Sequence, residues 1–163
     1  MNLISKIRKH HAVEHACLSI IHAKFPALKL AGFSDARGFW IVGNVETDKI
    51  IAAVDEAITR LQAGEKSLAV HPNCGTNFAA SGLVAGSLAW LGTIGSGKSF
   101  RRHVDRWPLI ITLVTFGLIA AQPLGPYLQR AYTTDANIGE LKMKEIIITK
   151  RGTVTIHRFK LGR

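Results

Sequence analysis

FAASGLVAGSLAWLGTIGSG (residues 78–97) and WPLIITLVTFGLIAAQPLG (residues 107–125) decide how this 163-residue chain is organised. Both are close to the roughly 20 residues that a helix needs to cross a bilayer, and neither carries a formal charge. In the second, Leu109, Ile110, Ile111, Leu113, Val114, Phe116, Leu118 and Ile119 make an almost unbroken apolar run. The first is diluted by Gly, Ala and Ser. Its Gly82 and Gly86 form a GxxxG pair, extended by Ala85 and Ala89, which lets another helix backbone approach closely in lipid. The two stretches read as a transmembrane hairpin, with a buried core hairpin of a soluble protein as the alternative. The Gly82/Gly86 face predicts a homo-oligomer or a membrane-protein partner.

On either side of the hairpin the pattern changes from continuous to periodic. Residues 3–25 have helical spacing and Pro26 offers a stop. Residues 28–45 read as two short strands around a turn at Ser34 to Gly38, and residues 67–70 as a further strand. Residues 46–64 are the clearest amphipathic helix, with Thr47 or Asp48 as N-cap, Ile50, Ile51, Val54, Ile58 and Leu61 on one side, and Gly64 beyond its end. Residues 142–149 and 153–160 flank Lys150, Arg151 and Gly152 in a β-hairpin pattern. The expected fold is therefore an α+β membrane protein: a small α/β cytosolic unit interrupted by a two-helix transmembrane hairpin and completed by a C-terminal β-hairpin. The segments are 1–77, with the metal motifs described below; 78–126, the membrane hairpin; and 127–163, a tail packing on the N-terminal region.

The net charge of +10 lies in three places: Lys6, Arg8 and Lys9; the inter-helix connection with Lys98, Arg101, Arg102 and Arg106; and the tail from Arg130 onward. Beside a membrane this charge attracts anionic head groups, making the lipid bilayer the expected partner. No basic patch is interleaved with stacking aromatics, so no nucleic-acid partner is expected. The N-terminus is amphipathic and histidine-rich, without the continuous apolar core of a secretory signal, which predicts a bacterial inner-membrane protein with cytosolic termini. The basic connection pulls the other way under the positive-inside rule. Cys17 and Cys74 then read as free thiols or metal ligands.

GTIGSGKS, from Gly92 to Ser99, matches the phosphate-binding pattern GxxxxGK[ST], in which Lys98 would reach phosphate and Ser99 would hold magnesium. That loop must follow a buried strand. Here it follows a Gly/Ala-rich helical segment, so it reads as a connection and no nucleotide is expected there.

HHAVEH, from His10 to His15, carries more chemistry. On a helix His11 and His15 fall within about 40° of each other one turn apart, where both imidazoles can bind one zinc ion. Glu14 lies beside them, and the spacing is the HxxEH of inverted zinc peptidases. His22 shares the face but lies roughly 10 Å further along the axis. A second cluster, HPNCGTN from His71 to Asn77, sets an imidazole and a thiol three residues apart in a turn shaped by Pro72 and Gly75. As a plain helix entry the same stretch would have Thr76 or Asn77 as cap and Cys74 as a small buried residue.

HHAxEHA followed by HPNCGTN ahead of an apolar helix resembles an uncharacterised bacterial membrane-protein family, a domain of unknown function related to the YqhQ-like predicted metal-dependent membrane enzymes. The resemblance implies one site made by His11, Glu14, His15, His71 and Cys74, and supplies no substrate. Imidazole and thiolate donors suit a divalent transition metal, zinc first. Three functions follow. In a structural or regulatory site, His11, His15, His71 and Cys74 fill all four positions around the metal. In a metal-dependent hydrolase, one position stays open for water and Glu14 is the general base. The third is a metal-free membrane adaptor.

Overall fold

The computed structural model describes residues 2–95, 97 and 100–162. The chain forms two compact units, one made of Met1–His71 with Gln129–Arg163 and the other of Pro72–Leu128.

The first unit opens with helix α1, Leu3–Lys24, started by the Asn2 side chain, which accepts from Ser5 N–H at 2.8 Å. It ends at Phe25, ahead of Pro26. Buried residues run from His10 through Ile21 and include Ala12, Val13, Glu14, His15 and Ala16 in succession, so the middle of α1 is enclosed on every side. Strands β1, Ala31–Asp35, and β2, Gly38–Gly43, are joined by a tight turn in which Asp35 Oδ1 accepts from the N–H groups of Arg37 and Gly38. Gly38 is required twice over: its φ is 148°, and a Cβ there would lie 1.9 Å from the Phe159 carbonyl.

Helix α2, Thr47–Gln62, buries Ile50, Ala53, Val54, Ala57, Ile58 and Leu61, the three-to-four spacing of an amphipathic helix. Its N-cap is Glu46, without a side-chain capping bond, rather than Thr47 or Asp48. The Thr47 hydroxyl is instead hydrogen-bonded to His157 Nε2 at 3.1 Å. Residues 67–70 are not a strand. Lys66–Ala69 form a 3-10 turn, and the Ala69 carbonyl, which a ladder would have used, accepts from His15.

Strands β3, Lys142–Arg151, and β4, Val154–Gly162, complete an antiparallel sheet of order β1-β2-β4-β3. Register pairs Phe39 with Phe159 and Ile41 with His157, so these four side chains share the face that packs beneath α1 and α2. Phe39 and Phe159 are fully buried with ring centroids 5.0 Å apart, each contributing about 1.5–3 kcal/mol of apolar burial. On the opposite face Arg158 stacks 3.6 Å over Trp40 and pairs with Asp35 at 2.7 Å.

The second unit contains α3, Gly75–Thr93; α4, Phe100–Asp105; α5, Trp107–Ala121; and α6, Leu124–Leu128. Helices α3 and α5 pack closely where a Cβ on Gly92 would lie 2.7 Å from Ile110, and one on Gly117 would lie 2.2 Å from Leu88. Gly82 and Gly86 face open space instead, so this pair is not what admits α5. At 19 residues α3 is long enough to cross a bilayer but diluted by Gly, Ser and Thr, while α5 is strongly apolar and only 15 residues long. Among the described residues no single helix is both long and apolar enough to span a membrane; the bent pair Trp107–Ala121 and Leu124–Thr133 meets the length and composition together. Phe78, Leu83, Trp90, Ile111 and Phe116 are all at least 60% exposed, so much of this unit's surface is apolar.

Candidate metal centre

Helix periodicity splits the HHAVEH stretch into two pairs. His10 and Glu14 look toward β1: His10 Nδ1–H donates to the Asp35 carbonyl at 2.8 Å, and Glu14 accepts a hydrogen bond from Ser34 Oγ. Glu14 is 4% exposed and sits where β1 has no side chain, since a Cβ on Gly32 would fall 2.1 Å from Glu14 Oε1. Burial holds the His10 pKa below its ordinary value of 6.5, against the raising influence of the Asp35 carbonyl and charge.

His11 and His15 look the other way, with ring centroids 4.2 Å apart. His11 Nδ1–H donates to the Thr133 carbonyl at 2.9 Å, and His15 Nδ1–H donates to the Ala69 carbonyl at 2.8 Å. Because a carbonyl can only accept, both Nδ1 atoms carry a proton, and in the neutral ring that tautomer places the lone pair on Nε2. A backbone carbonyl behind each ring is the usual way that a metal-binding histidine is oriented and made more basic. Thr133 belongs to a π-helical turn, Gln129–Thr133, which Arg8 anchors by donating from Nη2 to the carbonyls of Ala131 and Thr134.

His71 ends the first segment of this unit, its ring centroid 5.8 Å from that of His15. Two imidazoles bound to one zinc at the tetrahedral angle have centroids about 5 Å apart, given Zn–N bonds of about 2.0–2.1 Å. The His11–His15 spacing of 4.2 Å is shorter than that and the His15–His71 spacing of 5.8 Å is longer, and His71 is not among the donors whose ligand atoms lie within 4.8 Å of one another. Burial, reinforced by the neighbouring His15 and His22, pushes the His71 pKa down to about 4, so the ring is neutral at neutral pH.

Cys74 belongs to the second unit, three residues beyond His71, and its Sγ accepts from Thr76 N–H as the N-cap of α3. It therefore takes the capping position expected for Thr76 or Asn77; the Asn77 side chain donates to the Pro72 carbonyl. Cys17 is fully buried, and burial with the Glu14 charge pushes its thiol well above the ordinary range, which makes it a packing residue. His22 is exposed. Of the stretch from Gly92 to Ser99, Gly92 and Thr93 are the last residues of α3, while Ser96, Lys98 and Ser99 lie outside the described residues.

Sequence reasoning did not find the groups that hold these rings. The Ala69 and Thr133 carbonyls have no side-chain signal at all, and Gln129, whose amide clasps the His71 backbone, is an isolated glutamine in a mixed segment. Gly32 and Ser34, which accommodate Glu14, look like ordinary strand-end residues.

A family profile described as "Domain of unknown function (DUF6391)" matches residues 6–146. The chain belongs to this family. The matched span includes His11, Glu14, His15, His71 and Cys74 together with the whole of the second unit. The chain is also 37% identical over 98 residues to an uncharacterized protein of Picosynechococcus sp., a match covering 52% of this chain and 48% of that relative. It thus spans about half the relative's length. No solved structure matches the chain at a significant level.

Proposed function

We propose that this DUF6391 protein is anchored to a membrane and uses His11, His15, His71 and Cys74 to hold one divalent transition metal, zinc by donor chemistry, as a structural staple. The observation that carries the reading is the pair of Nδ1–H to carbonyl bonds behind His11 and His15, which orients both rings in the way that metal-binding histidines are held. Cys74 would add a thiolate to the imidazoles, and an N/S set of this kind favours zinc. Glu14 supports the staple over the hydrolase, because its buried carboxylate is engaged by Ser34 on the strand side of α1. The relation to YqhQ-like proteins belongs to the same proposal.

The anchor is supported by the uncharged α3 and α5 and by their exposed Leu83, Trp90, Ile111 and Phe116, which in water would leave a large apolar surface uncovered. Cytosolic termini complete the proposed topology, and the open Gly82/Gly86 face suits a second copy packing in lipid. The deciding test is elemental analysis of purified protein, wild type beside His15→Ala and His71→Ala. One metal equivalent in the wild type, lost in both variants, is the expected result. A wild type without metal refutes the staple.

A further inference from the structure

Residues Pro72–Leu128 form a single excursion of the chain, so the first unit is left at His71 and rejoined at Gln129. Those two residues hold each other. His71 N–H donates to Gln129 Oε1 at 2.8 Å, and Gln129 Nε2 donates to the His71 carbonyl at 3.1 Å. Gln129 is completely buried, and its own carbonyl accepts from both the N–H and the hydroxyl of Thr134, each at 2.9 Å. The same π-helical turn then presents the Thr133 carbonyl to His11. One side chain therefore joins the start of the HPNC turn to the segment that orients a histidine on α1.

A primary amide is costly to bury unless both its ends are paired, so space-filling alone does not explain a glutamine here. Both ends are matched to the backbone of one residue, which fixes the position and the tilt of that peptide. Resting on the metal reading above, we infer that Gln129 is a positioning residue for the metal centre. It sets where His71 sits and where the turn toward Cys74 begins, while its own turn sets the tautomer of His11. Metal binding and closure of this clasp are then linked, and each strengthens the other.

The test uses the full chain and zinc alone. Gln129→Met keeps length and volume but removes both bonds; Gln129→Glu keeps an acceptor for His71 N–H and loses the donor. Gln62→Met is the control, because Gln62 Nε2 also spans two backbone carbonyls, those of Gly139 and Leu141, away from the histidines. Zinc affinity is expected to fall about 10- to 100-fold in Gln129→Met, to fall less in Gln129→Glu and to stay unchanged in Gln62→Met. Hydrogen exchange at His71 N–H should slow when zinc binds the wild type. A wild type that takes up no zinc overturns the metal reading and this inference with it. Zinc binding by the wild type with equal affinity in Gln129→Met, or an equal loss in Gln62→Met, overturns the inference alone. If Gln129→Met does not fold, exchange at His71 in the wild type decides, and exchange indifferent to zinc overturns the inference.

Discussion

If the proposed site holds a metal, removing the metal and removing a ligand should each abolish the response to chelator. His15 is 2% exposed and its Nδ1–H is held 2.8 Å from the Ala69 carbonyl, so it is the candidate ligand most deeply built into the fold. An ion bound only by the folded state, present at about 100 times its Kd, stabilises by about 2.7 kcal/mol. For a chain of 163 residues that corresponds to roughly 3 °C per kcal/mol, or a fall of about 8 °C in Tm when chelator strips the wild type. His15→Ala loses this stabilisation and also leaves the Ala69 carbonyl without its donor, a further cost of about 1–3 kcal/mol. Its Tm should therefore start below that of chelated wild type and not move when chelator is added. His22→Ala, an exposed position on the same helix, should keep the full chelator response. The assay is thermal unfolding of detergent-purified protein with and without chelator, paired with elemental analysis. A His15→Ala protein that still responds to chelator like the wild type would refute the placement of the ligand, and a wild type indifferent to chelator would refute the site.

Gly32→Ala should cost about 2–4 kcal/mol, because the new Cβ, 2.1 Å from Glu14 Oε1, must either be overpacked or displace the carboxylate from Ser34; a loss under about 0.5 kcal/mol in denaturant unfolding would contradict this packing. His157 is buried and its pKa is lowered from 6.5 by burial, so the unfolded chain binds more protons below that pH. Stability should be complete above pH 6.5 and fall as the pH drops through this range, and His157→Phe should remove part of the slope; an unchanged slope in that variant would assign the effect elsewhere. If the apolar helices are embedded in lipid, the protein stays in the pellet after alkaline carbonate extraction, and its release to the supernatant would defeat the anchor.

Periodicity made the elements of the first unit legible wherever one face alone is buried. The stripe from Ile50 to Leu61 has the spacing that defines α2, and the Lys142–Arg151 and Val154–Gly162 strands meet at a turn supplied by Gly152. It failed at residues 67–70, where apolar composition suggested a strand, because what fixes that backbone is a hydrogen bond from a histidine more than fifty positions earlier. The cap of α2 was misplaced for a related reason. Thr47 is a good capping residue by type, but its hydroxyl is engaged by His157, which only the β4 register brings into reach.

The metal motif shows how far spacing alone can carry an argument. A helical step of about 100° already separates HHAVEH into His10 with Glu14 and His11 with His15, so a helix that buries both sides must give the two pairs different neighbours. The sequence cannot say which neighbours, and those determine the chemistry. A strand glycine and a serine receive the glutamate, while two carbonyls from distant turns receive the histidine N–H groups. A general base needs its carboxylate free to take a proton from water, and a staple needs fixed imidazoles. The hydrogen bonds of this site fix the rings of His11 and His15 and engage Glu14 with Ser34 on the strand side, which is the arrangement the proposed staple requires.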